Sequence, residues 1–80
     1  MIQQNNNDYY VVSIYTNAYL LSKGFRTKRI EKSKDTGKVI LYYQDCNDLR
    51  NTIREYQNNW DLQDFIRGLK EIKTIFKEAI

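Results

Sequence analysis

Eighty residues make one domain with room for a single core, and a chain this short buries only about two-thirds of its unfolded surface. Apolar residues (41%) and aromatics (14%) are too abundant for a disordered chain, while the absence of His and the single Cys exclude a Ser-His or Cys-His nucleophile pair, an internal disulfide and a structural zinc site. The net charge of +3 is uneven: "KGFRTKRIEKSKDTGK", residues 23–38, holds seven Lys or Arg against two acids, a net of +5, and the remaining residues net −2.

Residues 1–8, "MIQQNNND", are polar and Asn-rich and read as a disordered leader to a single domain over 9–80. "DYYVVSIY" is β-branched and aromatic, which predicts a strand. Alternation puts Tyr10, Val12 and Ile14 on one face and Tyr9, Val11, Ser13 and Tyr15 on the other; neither face is polar, as expected of a central or doubly covered strand. "TNAYLLSKG" follows as a short helix with Thr16 as N-cap, Gly24 at the left-handed C-terminal position, and Leu20 and Leu21 as core residues.

Period-two patterning returns in "FRTKRIEKS" and "GKVILYYQ", which flank "KDTG" and predict a β-hairpin with Asp35 and Gly37 in the turn. Val39, Leu41 and Tyr43 should share one face, with Ile40 and Tyr42 opposite. Phe25 and Ile30 differ in parity, so the first hairpin strand should start late or carry a bulge. Asn47 is expected to cap a helix to about Gln57, with Leu49, Ile53 and Tyr56 as its buried stripe. "QNNW" ends it, and a last helix from Asp61 carries the core stripe Leu62, Phe65, Leu69, Ile72 and Phe76, widened by Ile66 and Ile75. Gly68 inside that helix costs about 1 kcal/mol relative to Ala, which suggests close packing against it. The order β-α-β-β-α-α implies an α+β fold: a small, mostly antiparallel three-stranded sheet with helices on one face.

The glycines at 24, 37 and 68 are isolated, so no phosphate-cradling loop is present. The carboxylate pairs Asp45/Asp48 and Asp61/Asp64 fall at helix starts, where capping explains them. The expectation is therefore a non-enzyme with no catalytic residue, cofactor or metal. Without a signal peptide or long apolar run, the chain reads as a cytoplasmic protein with no membrane partner.

The candidate binding surface is the basic hairpin: Arg26, Lys28 and Lys32 on one face, Arg29 on the other, Lys34 and Lys38 beside the turn, and Tyr42 on the facing strand as a stacking ring. The plainer reading of the same charges is an edge strand that discourages unwanted pairing. Tyr9, Tyr15, Tyr19 and Tyr42 form a second candidate as a protein-binding surface, or else line the sheet under the helices. Trp60 is expected to pack back on the last helix, and Cys46 to be a small buried hydrophobe.

"TNAYLLSKGF", the strand entering "DCNDL" and the closing "FIRGLKEI" resemble a family of small uncharacterised domains of Gram-positive bacteria, their phages and mobile elements. The resemblance spans the chain from about Tyr9 and implies a compact stand-alone module, phage- or element-borne, with no assigned activity and no site residue to carry over.

The function expected is that of a non-enzymatic accessory protein acting on a protein partner in the host cytoplasm, concretely an anti-CRISPR-like inhibitor of a nucleic-acid-guided defence system. Its excess of positive charge rules out a DNA mimic. The alternative is a small nucleic-acid-binding or regulatory module using the hairpin 23–38, with phosphate contacts and steep salt dependence. A third reading is a homodimer through the last helix, whose apolar stripe is wide for so small a sheet.

Overall fold

A computed structural model of the chain describes residues 8–79; the leader residues 1–7 lie outside the described residues. The elements are β1 (Asp8–Val11), α1 (Ile14–Ser22), β2 (Arg29–Lys32), β3 (Val39–Gln44), α2 (Asn47–Asn58) and α3 (Trp60–Ala79). The α+β order is the expected one, and all strand pairing is antiparallel.

β3 is the central strand, not β1. It is the longest strand and is apolar on both faces, so it offers each short neighbour a full ladder. Tyr9 and Val11 pair with Tyr43 and Leu41 on one side, and Ile30 and Lys32 with Leu41 and Val39 on the other. The apolar second face of β1 is explained by a cross-strand partner instead of by burial. Tyr10 pairs with Tyr42 yet remains 65% exposed.

β1 ends four residues earlier than its β-branched composition suggests, because Ser13, not Thr16, caps α1. Ser13 sits in extended backbone and its hydroxyl accepts from the Thr16 N–H at 3.3 Å. Asn17 braces the bend, its side-chain amide donating to the carbonyls of Val11 (3.2 Å) and Ser13 (2.9 Å). Capping chemistry thus overrides strand propensity in Ile14 and Tyr15. At the other end Gly24, with φ of 95°, takes the left-handed position expected of it.

The hairpin strand starts late, at Arg29, one of the two outcomes its parity allowed. Its six-residue loop is held by Ser33, whose carbonyl accepts from Gly37 N–H (2.9 Å) and whose hydroxyl accepts from Thr36 N–H (3.3 Å); Gly37 has φ of 73°.

The core is Val11, Leu20, Tyr43, Leu49 and Ile53, with Tyr9, Phe25 and Leu41 packed against it. One face of the sheet therefore meets α1 and α2. Leu49, Ile53 and Tyr56 are buried, as the spacing predicts. Leu21, expected in the core with Leu20, is 44% exposed and borders an open apolar groove with Val12, Val39 and Leu41. Cys46 is exposed, not buried, and it, not Asn47, is the N-cap of α2, its sulfur accepting from Leu49 N–H at 3.4 Å.

α3 departs most from expectation. A single residue, Asn59, separates it from α2, and the Asn59 side chain accepts from Leu62 N–H at 3.1 Å. Only Ile66 is buried, while Leu62 and Leu69 are half-buried. Phe65, Ile72, Ile75 and Phe76 are exposed, and Trp60 is 76% exposed instead of folding back on the helix. The reason is geometric: α3 packs on the outer side of α1 and α2, away from the sheet, burying Ile66 and half-burying Leu62 and Leu69, while Lys70 and Lys73 reach the Tyr15 ring of α1. Beyond Leu69 every described residue is exposed.

Candidate binding surfaces

The uncovered face of the sheet is set by register. Pairing of Asp8 with Gln44, of Tyr10 with Tyr42, and of Arg29 with Tyr42 brings Asp8, Tyr10, Tyr42, Arg29 and Glu31 to the same side. The Arg29 guanidinium lies over the Tyr42 ring, 3.8 Å from its centroid, and the Tyr10 ring lies 6.4 Å from that of Tyr42. The Tyr42 hydroxyl donates to Glu31 at 3.1 Å. Lost hydration, then that bond to a carboxylate, raise the Tyr42 phenol above its ordinary value.

The predicted basic surface is divided by this arrangement. Asp8, assigned from sequence to the leader, is the first residue of β1 and binds Lys28 (2.6 Å) and Arg29 (3.0 Å). Arg29 also pairs with Glu31. The hydrogen bond from Lys28, then that from Arg29, hold the Asp8 carboxyl below the usual range. Two of the six candidate cations are thus neutralised within the fold. Arg26 and Lys28 precede β2 and share no strand face with Lys32; the Arg26 guanidinium donates to the neighbouring carbonyl of Phe25. Lys32, Lys34 and Lys38 are exposed around the loop, with no ion pair among the described residues.

The tyrosines separate as well. Tyr9 packs on the core and Tyr42 lies on the open face. Tyr15 and Tyr19 line an apolar groove of about 260 Å³ between α1 and α3, together with Tyr56, Leu62, Phe65 and Leu69. Lys70 and Lys73 approach the Tyr15 ring at 5.3 and 5.1 Å, and the Lys73 amine donates to the Tyr15 hydroxyl at 3.1 Å.

This groove opens onto the exposed side of α3. Phe65 is 66% exposed, Ile72 45%, Ile75 53% and Phe76 64%, so four large apolar side chains share one uncovered face of one helix. Composition and periodicity identified these residues and assigned them to the core, although the stripe was already wide for so small a sheet. What they could not supply is where α3 sits against α1 and α2.

No helix among the described residues is long and apolar enough to cross a membrane. Comparison with curated proteins finds no match, and neither does comparison with solved structures. A family profile does match, over residues 6–78, which takes in every strand and helix except the last residue of α3. The chain belongs to the family described as Domain of unknown function (DUF5659).

Proposed function

We propose that this chain is a non-enzymatic accessory protein that acts by binding a protein partner through the exposed face of α3. The observation that carries the reading is the apolar row Phe65, Ile72, Ile75 and Phe76, which the fold leaves in water. Large contiguous apolar faces of this kind are unusual on monomeric domains and suit a partner's surface. On its resemblance to small phage- and element-borne modules we read it as acting in the cytoplasm of a bacterial host, with inhibition of a nucleic-acid-guided defence complex as the specific form of this reading. Such an inhibitor works by occupying a surface and needs no chemistry of its own.

The test is capture from host lysate with tagged protein, with and without nuclease, alongside the variant Ile72→Arg/Ile75→Arg. A protein retained after nuclease and lost from the variant is the expected result. Capture that the variant keeps, or that nuclease abolishes, overturns it.

One observation favours a second reading, binding of single-stranded nucleic acid. Arg29 stacked on Tyr42 beside Tyr10, on an uncovered sheet face flanked by Lys32, Lys34 and Lys38, is a surface on which bases stack. The neutralisation of Lys28 and Arg29 weakens its phosphate attraction, which ranks it second. Under this reading Lys28→Glu/Arg29→Glu abolishes retention on an oligonucleotide, and the parent's affinity falls steeply with salt. An unchanged double variant removes it.

A further inference from the structure

α3 carries two apolar rows; its own chain packs against one and meets the other at Phe65, which borders the groove. Leu62, Ile66 and Leu69 face inward to the groove and α2. Phe65, Gly68, Ile72, Ile75 and Ala79 recur at +3, +4, +3, +4, about a quarter-turn away, and all five are exposed. That spacing is the seam on which a second helix packs. Gly68 supports the same conclusion independently. A Cβ placed there meets nothing within 4 Å, so no contact among the described residues explains a glycine in the middle of a helix. A glycine on an exposed seam lets another helix approach closely.

The borders of the seam specify what that helix carries. Asp64, Glu71 and Glu78 recur every seven residues along one edge, and neither Glu71 nor Glu78 has an ion pair among the described residues. Asp64 is shared with Arg67 at 2.6 Å. The other edge is Leu69 and Phe76. A second copy of α3 fits this pattern badly. Running antiparallel it sets the acidic edge against itself, and running parallel it sets acids against Leu69 and Phe76.

We infer that the seam Phe65–Gly68–Ile72–Ile75–Ala79 docks an amphipathic helix of a protein partner whose flank is basic, its Lys or Arg residues meeting Asp64, Glu71 and Glu78. This rests on the protein-binding reading and names the chemistry of the partner.

The experiment uses two labelled three-heptad peptides with Leu at the seam positions, one flanked by Lys and one by Glu, titrated with the full chain by fluorescence anisotropy. The Lys-flanked peptide should bind roughly five- to tenfold tighter, the margin shrinking with salt. Glu71→Lys/Glu78→Lys should reverse the preference, and Ile72→Arg/Ile75→Arg should abolish binding of both, with circular dichroism unchanged because all four positions are exposed. Equal binding of the two peptides, or a preference that survives the charge reversal, overturns the inference. So does a dimer in sedimentation equilibrium that Ile72→Arg disperses, since the occupant would then be a second copy. If lysate capture is nuclease-resistant and needs Ile72 and Ile75 but ignores Glu71→Lys/Glu78→Lys, the basic-helix inference fails and protein binding stands. If capture ignores all these positions, the functional reading itself fails.

Discussion

Tyr43 takes its ring into the core and keeps its hydroxyl satisfied. The phenol donates to the Asn17 side-chain oxygen while the Asn17 amide donates to Val11 and Ser13, so one buried polar network joins β3, α1 and the end of β1. Burial raises the Tyr43 phenol above its ordinary value, as expected where the charged form is poorly hydrated. Tyr43→Phe keeps the ring and strands the Asn17 oxygen, so it should destabilise the fold by about 1–3 kcal/mol in chemical denaturation. An unchanged midpoint would mean that water replaces the phenol. Asp8 offers a pH-dependent counterpart. Its carboxyl is held down by Lys28 and Arg29, so its contribution is complete above the unfolded-state value of about 3.9 and is lost as pH falls through the lower folded-state value. Asp8→Asn should therefore lower stability at neutral pH, with the gap from the parent closing in strong acid. A gap that stays constant down to pH values below the folded-state midpoint would exclude Asp8 as its source.

Each helix is started by a side chain that sequence reading placed elsewhere or passed over: Ser13, Cys46 and Asn59. Cys46 is the weakest of these acceptors, since a thiol sulfur accepts poorly. Cys46→Ser should leave the fold intact and add a few tenths to about 1 kcal/mol of stability. Loss of stability would show that the sulfur contributes contacts beyond the cap. Gly68 belongs to the same scale. With open space above it, Gly68→Ala should raise stability by about 1 kcal/mol, read as an increase in the melting temperature. A decrease would mean that something already packs there in the isolated protein.

For the whole molecule, the radius of gyration of 15.4 Å exceeds the roughly 12 Å of a compact domain of this length, and the longest extent is 55 Å. α3 accounts for the excess. Its 20 residues run about 30 Å, and every residue of its second half is exposed. Amides from Ile72 to Ala79 should consequently exchange by local opening, while those of β3 exchange only on global unfolding. Uniform slow exchange along α3 would show that a partner or a second copy covers it in solution.

Local chemistry was sufficient for much of this protein. The β-α-β-β-α-α order, the face shared by Val39, Leu41 and Tyr43, the buried stripe Leu49–Ile53–Tyr56 and the left-handed Gly24 all follow from periodicity, parity and glycine geometry, which neighbouring residues decide among themselves. The basic candidates were legible as a cluster, but Asp8 lies 20 residues from Lys28 in sequence, and only strand pairing brings it across to neutralise Lys28 and Arg29. The width of the α3 stripe already pointed to an uncovered face, but which residues stay outside was beyond any local pattern. An apolar stripe records that a helix wants a partner; whether its own chain supplies one depends on where tertiary packing sets that helix. Here α3 packs on the outer side of α1 and α2 instead of on the sheet, and Phe65, Ile72, Ile75 and Phe76 are left facing outward.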